Sequence, residues 1–223
     1  MSDNSQENDP THFLKHILQM GINGAPGIAG AKELGERYLT NPDFDSKMDR
    51  INALVKMEGR KNFTSGFLTS LGGIATLPVS IPASLGLNWI LQTRMVAAMA
   101  HVGGFDIDDP PVRMSIALCL LGKRGKDLLN QNFESFEAYF KQRGLNSIPT
   151  KTLSIINQTI ATRLMSIAAQ KGMTRVSKAI PLVGGVVGGY LDFQSCKESA
   201  DFAKELFQFH LSAELPDHHQ NFD

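Results

Sequence analysis

The chain has 223 residues, of which 42% are hydrophobic and 20% are charged, and its 22 basic side chains balance its 22 acidic ones. A formal net charge of zero offers no electrostatic basis for binding nucleic acid, so we expect no nucleic-acid partner. The length is sufficient for one large domain with a sizeable core. The two cysteines, Cys119 and Cys196, lie in apolar segments and indicate buried, reduced thiols of a cytoplasmic protein.

The amino-terminal segment, MSDNSQENDP, is polar and acidic and lacks the basic and hydrophobic regions of a signal peptide. We therefore expect residues 1–10 to form a disordered tail. From Thr11 onward apolar residues recur at helical spacing, and no segment shows the alternation that is typical of a strand, so the sequence predicts an all-α fold. We expect one compact multi-helix domain over residues 11–211 and a flexible tail over residues 212–223.

His12 and His16 lie four residues apart on the first predicted helix, which is a spacing that suits two metal ligands. No third ligand is near them in the sequence, so a half-exposed helix face explains the pair more simply. We expect neither a metal ion nor a cofactor.

The segment around which the rest of the chain is arranged runs over residues 63–100 and carries no charged side chain between Asn62 and Thr93. Pro78 and Pro82 interrupt it, because proline cannot continue a helix but suits the first turn of the next one. The pattern predicts a helical hairpin at the centre of the fold. Glycines inside its first arm, Gly72 and Gly73, favour close contact with another helix.

A second glycine-rich segment begins at Pro181, where the sequence predicts a new helix. Two interleaved pairs with GxxxG spacing would allow another helix to approach closely, and we expect the hairpin to dock there. The packing glycines of this helix are Gly184, Gly185, Gly188 and Gly189.

Arg94 lies on an apolar stripe of the second arm of the hairpin, and the pattern shows no side of that helix that faces solvent. A buried guanidinium needs a carboxylate partner. Asp192 is our first choice because it follows the second glycine-rich segment, and Asp109 is our second. The simpler alternative to a functional pocket is a buried ion-pair network that fixes how the helices pack.

The segment HVGGFDIDDPPVR, which follows the hairpin, ends one helix and begins another. Gly103 or Gly104 suits the end of the first helix, and Asp108 or Asp109 suits the cap of the second. The acidic residues also resemble the carboxylates of a metal site, but the capping turn accounts for them. No GxSxG, HExxH, CxxC or GxGxxG motif is present, so the sequence identifies no active site.

Four blocks, GFLTSLGGIATLPVSIPASL, QTRMVAAMAHVGGFDIDDPPVR, LCLLG and SKAIPLVGGVVGGYLDF, resemble in order and spacing the signature blocks of the EcsC family over about residues 51–207. The resemblance implies a bacterial protein, and the namesake of the family is encoded beside the two components of an ABC transporter. It also implies a hydrolase activity as one alternative, without a catalytic set to assign. Candidates for ligand binding or buried ion pairs at the polar positions of the pattern are Arg94, Asp106, Asp109, Arg113, Lys178 and Asp192.

Three functions fit these observations. The first is peripheral association with the inner face of the cell membrane, or binding of an apolar ligand or lipid, with a membrane-protein partner such as an ABC transporter. Its support is the charge-free hairpin together with the basic residues Arg60, Lys61, Arg124 and Lys126. The alternatives are a soluble helical interaction module and a hydrolase with an unrecognised active site.

Overall fold

The computed structural model describes residues 9–25, 27–63, 83–132, 150–176 and 181–207, and within these ranges it describes no side chain of residues 61–63, 83–84, 131–132, 171–176 and 181–192. Every regular element in these ranges is an α-helix, which confirms the all-α prediction. The helices are α1 (Pro10–Asn23), α2 (Ala31–Leu39), α3 (Lys47–Phe63), α4 (Ala83–Val102), α5 (Pro110–Cys119), α6 (Lys123–Asn132), α7 (Thr150–Val176) and α8 (Pro181–Leu206).

Helix α4 lies at the centre of the fold. Its residues 85–102 are buried except for the half-buried His101, and α1, α2, α3, α5 and α8 all pack against it. A helix that is covered on every side needs apolar residues on every side, which explains its sequence. As predicted, α4 is the second arm of the central segment and begins directly after Pro82. The first arm, with Gly72 and Gly73, lies outside the described residues.

Helix α1 begins at Pro10, earlier than the sequence predicted. Asp9 is its cap, because its carboxylate Oδ1 accepts a hydrogen bond from the backbone N–H of Thr11 at 3.0 Å. Pro10 follows as the first helical residue. The N–H that proline lacks would have no partner within the helix at this position, so nothing is lost. Pro10, assigned above to the tail, therefore belongs to the helix.

The contact between α1 and α4 is close enough to require a glycine. A Cβ atom on Gly21 would lie 2.5 Å from Thr93 Cβ and 2.9 Å from the carbonyl oxygen of Ile90. Farther along the same interface, the rings of Phe13 and Trp89 meet edge to face with their centroids 5.7 Å apart. The two helices are therefore held by tight packing over most of the length of α1.

The two long helices α7 and α8 complete the bundle. Helix α7 packs on α1 and α5 through a buried stripe that includes Ile156, Ile160 and Leu164. Helix α8 begins at Pro181, as predicted, and contacts α3, α4, α5 and α6. The packing contacts of Gly184, Gly185, Gly188 and Gly189 lie outside the described residues, so the docking of the first hairpin arm on these glycines stays a prediction.

Two glycine-to-alanine substitutions, one expected to destabilise and one expected to stabilise, test the close packing of α1 on α4. We expect Gly21→Ala to destabilise the fold by roughly 1–3 kcal/mol, because the new methyl group overlaps Thr93 and backbone atoms that cannot move away. In Gly59→Ala the new Cβ would meet Phe193 Cε2 at 3.3 Å, and Phe193 is 41% exposed and free to shift. That variant should gain about 0.5–1 kcal/mol from the better helix propensity of alanine.

The free energy of unfolding in urea measures both changes. Gly59→Ala is the matched control, since it replaces the same residue type inside a neighbouring helix. A Gly21→Ala variant as stable as the wild type would show that α1 does not approach α4 as described.

Candidate functional site

A buried ion pair joins α4 to α3. Arg94 Nη2 donates a hydrogen bond to Glu58 Oε2, and the two side chains are only 6% and 3% exposed. Arg94 Nη1 also donates to the carbonyl oxygen of Ala29 at 3.3 Å, just before α2. One guanidinium therefore connects α4 with α3 and with the segment that precedes α2.

The carboxylate that the structure places against Arg94 is Glu58, which the sequence did not suggest. Asp109, the second choice, lies at the cap position of α5. The pairing with Asp192, the first choice, stays a prediction because that side chain lies outside the described residues. Glu58 follows Ile51 and Leu54 at helical spacing, and both of these residues are fully buried. A charged residue on an apolar stripe was the signal in the sequence that would have identified the partner.

The surroundings of this ion pair are those of a structural contact. Tyr38 lies close by, and burial, followed by the charge of Glu58, raises the pKa of its phenol. Arg94 Nε is buried without a hydrogen-bond partner, so the guanidinium is not fully satisfied. Because breaking a buried pair leaves an uncompensated charge, Arg94 and Glu58 constrain how α3 and α4 can pack.

Three further candidates lie in or beside the turn before α5. Asp106 Oδ1 accepts a hydrogen bond from the N–H of Asp108 at 3.0 Å, and Asp109 occupies the cap position of the helix. Arg113 Nη2 donates to Asp108 Oδ1 at 2.6 Å and, together with Lys32, holds the pKa of Asp108 below its usual value. Asp109 makes no capping hydrogen bond through its side chain, so the capping interpretation is supported by its position and by the turn that Asp106 closes. No group of three metal-ligating side chains occurs in the described ranges.

The structure describes no site at the last two candidates or at the buried cysteine Cys119. The side chains of Lys178 and Asp192 lie outside the described residues. Cys119 is buried, and its burial raises the pKa of the thiol. Since the thiolate is the reactive form, Cys119 is not placed to act as a nucleophile.

The structure contains a cleft that the sequence did not reveal, which we call the Trp89 cleft. It has a volume of about 450 Å³ and lies between α4, the turn from α5 to α6, α7 and α8. Trp89, Leu120, Leu121 and Ile167 form its apolar wall. The polar part of its lining consists of Lys123, Arg124, Gln170, Gln194, Ser195 and Glu198.

A buried amide network fixes one wall of the Trp89 cleft. Gln92 Nε2 donates hydrogen bonds to Asn88 Oδ1 at 2.9 Å and to Ser195 Oγ at 3.1 Å. Gln92 Oε1 accepts one from Ser199 Oγ at 3.0 Å. Both ends of the fully buried amide are thus satisfied across α4 and α8, and a satisfied buried network rigidifies the structure around it.

Two cations border the cleft where α6 begins. Lys123 is 84% exposed, and its Nζ lies 3.9 Å from Glu198 Oε1. Arg124 follows it and is exposed. Gly122 adopts a φ of +55° at the preceding position, and a Cβ atom there would lie 3.2 Å from Glu198 Oε2, so glycine suits both the backbone and the close approach. Lys126, by contrast, pairs with Glu205 at 2.6 Å.

In the part of the chain that the structure describes, we find no helix with the length and apolar character needed to cross a bilayer.

A double-mutant cycle tests the buried ion pair. Arg94→Met should cost about 3–5 kcal/mol of unfolding free energy, because Glu58 would stay buried without a partner. Adding Glu58→Met should recover much of that loss, since two apolar side chains then fill the same space. The unfolding free energies of the wild type, both single variants and the double variant give the coupling.

The exposed pair of Arg37 and Glu33 on α2 is the matched control, with side chains 58% and 62% exposed. Its coupling should be only about 0.3–0.5 kcal/mol, as for other exposed pairs one helical turn apart. Equal coupling in the two cycles would contradict the role assigned to Arg94 and Glu58.

Comparison with known proteins gave a match to a family model. No curated protein and no solved structure matched this chain. The model of the EcsC protein family matches residues 33–211, so the match begins within α2, before the blocks quoted above, and continues beyond the end of α8. The chain belongs to the EcsC protein family.

Proposed function

We propose that this protein is an accessory protein at the inner face of the cell membrane that binds an anionic amphiphile in the Trp89 cleft. The apolar part of the ligand would lie against Trp89, Leu120 and Leu121, and its headgroup would face Lys123 and Arg124. The observation that carries the proposal is the combination of an apolar wall and two exposed cations in one cleft.

The size and lining of the cleft support this ligand class. Binding sites for small molecules typically have volumes of about 300–1,000 Å³ and are mostly apolar with a few polar groups. The Trp89 cleft, at about 450 Å³, lies within that range. Each methylene group that leaves water for the apolar wall contributes roughly 0.8 kcal/mol, so an acyl chain would supply most of the affinity.

The charges at the cleft support an anionic headgroup. The contact of Lys123 with Glu198 is long, and an exposed pair of this kind contributes little. Lys123 can therefore meet a second anion without losing a strong interaction. Near an anionic membrane surface, each basic residue contributes about 1 kcal/mol of binding.

The same two features support the proposal of peripheral association. Stable membrane attachment commonly needs two weak signals, such as a buried chain and a basic patch. The Trp89 cleft would provide the first and Lys123 with Arg124 the second. A membrane protein such as an ABC transporter is the partner that we propose for the loaded protein, and membership of the EcsC family is the support for that partner.

The tryptophan of the cleft provides a direct test, because Trp89 is the single tryptophan of the chain. We expect vesicles of phosphatidylglycerol with brominated acyl chains to quench its fluorescence, since bromine quenches tryptophan on close contact. Vesicles of the same lipid without bromine should leave the intensity nearly unchanged. A dispersed brominated fatty acid forms a second arm, in which quenching without vesicles would identify a free amphiphile as the source.

Substitution of Lys123 and Arg124 should weaken the quenching of Trp89 fluorescence by brominated vesicles. Lys123→Ser with Arg124→Ser should require about tenfold more lipid for half-maximal quenching, which corresponds to about 1.4 kcal/mol. The matched control is Lys32→Ser with Arg37→Ser, two exposed cations on α2. If the α2 pair controls quenching, or if no brominated lipid quenches Trp89, the proposed site is wrong.

A further inference from the structure

An acidic side chain lies beside the two cations of the Trp89 cleft. Among the described residues that line the cleft, Glu198 of α8 is the one carboxylate, and its side chain is 34% exposed. Its Oε1 atom lies 3.9 Å from Lys123 Nζ, and Arg124 follows Lys123 in the same lining. A ligand in the cleft therefore meets an accessible negative charge next to the positive ones.

The acceptor atoms of Glu198 are not used by the protein. Within the part of the chain that the structure describes, its carboxylate accepts no hydrogen bond, and its contact with Lys123 is too long to be one. Glu205, farther along α8, differs in this respect, because its Oε2 atom accepts a hydrogen bond from Lys126 Nζ at 2.6 Å. The carboxylate oxygens of Glu198 are therefore available to a donor that enters the cleft.

A carboxylate at this position discriminates between anionic headgroups. A phosphate held by Lys123 and Arg124 brings a second negative charge close to Glu198, which is unfavourable unless a donor lies between the two anions. A hydroxyl group on the same headgroup supplies that donor, because it forms a charge-assisted hydrogen bond with the carboxylate. In a glycerol headgroup the nearest hydroxyl group is attached to the second carbon from the phosphate. One such headgroup can therefore reach a cation and a carboxylate that lie 3.9 Å apart.

We propose that Glu198 makes the Trp89 cleft selective for a phosphodiester lipid whose headgroup carries hydroxyl groups, as in phosphatidylglycerol. The phosphate contacts Lys123 and Arg124, and a headgroup hydroxyl donates a hydrogen bond to a carboxylate oxygen of Glu198. The acyl chain lies against Trp89. This inference rests on the function proposed above and adds to it the chemistry of the headgroup.

Two lipids of equal charge test this selectivity. Phosphatidylglycerol and phosphatidylmethanol each carry one phosphodiester charge, but only phosphatidylglycerol has hydroxyl groups in its headgroup. Vesicles of either lipid with brominated acyl chains report binding through the quenching of Trp89. We expect the wild type to need about fivefold more phosphatidylmethanol for half-maximal quenching, because that headgroup gives Glu198 no donor. Equal concentrations, or a preference for phosphatidylmethanol, would overturn the selectivity and leave the binding of an anionic amphiphile in place.

Substitution of Glu198 should abolish the difference between the two lipids. In Glu198→Met both should reach half-maximal quenching at about the same concentration, because phosphatidylmethanol no longer meets an opposing charge. Glu205→Met is the matched control, since Glu205 also lies on α8 and faces a lysine of α6 but is not part of the cleft lining, and it should keep the fivefold preference. A Glu198→Met variant that keeps this preference would overturn the proposal. If neither brominated lipid quenches Trp89 of the wild type, the proposed function fails and this inference fails with it.

Discussion

The burial of α4 over residues 85–102, with only His101 partly exposed, is the constraint on which the rest of the structure depends. This helix carries Gln92, Thr93 and Arg94 in succession, and all of them are buried. Each polar side chain is directed to a different neighbour, because Gln92 bonds to α8, Thr93 packs on Gly21 of α1, and Arg94 pairs with α3. Burying polar groups is unfavourable unless their partners are in place, so Gln92 and Arg94 fix the positions of α8 and α3 against α4. Thr93 acts on α1 through packing alone, because its buried hydroxyl has no hydrogen-bond partner.

This arrangement also explains where a ligand site can form. Trp89 and Gln92 lie one helical turn apart on α4, and Gln92 holds Ser195 of α8 in the wall of the Trp89 cleft. The cleft therefore lies beside the hydrogen-bonded contact between α4 and α8, while its cations lie at the exposed start of α6. The amphiphile that we propose would bind to a wall whose polar contacts are already formed, and a preformed site lowers the cost of binding.

The sequence predicted those features that depend on local chemistry. Pro82 and Pro181 predicted where α4 and α8 begin, and the pair Asp108 and Asp109 before two prolines predicted the start of α5, where Asp109 takes the cap position. The partner of Arg94 was not predictable in the same way, since it depends on which helices meet in three dimensions. The Trp89 cleft was missed for the same reason, because its walls come from residues far apart in the chain, such as Trp89 and Ser195. The sequence did carry a local indication of the partner of Arg94, because Glu58 lies on the same buried helix stripe as Ile51 and Leu54.

The central claim, that α4 is the buried helix that holds the fold together, is tested most directly by native-state hydrogen exchange of its backbone amides. Elements at the core of a protein exchange only when the whole molecule unfolds, whereas peripheral elements open locally at lower free energy. We expect the amides over residues 85–102 to exchange with a free energy equal to that of global unfolding in urea, and those of α6 to exchange more easily. Exchange of α4 at a lower free energy than the helices around it would contradict this account.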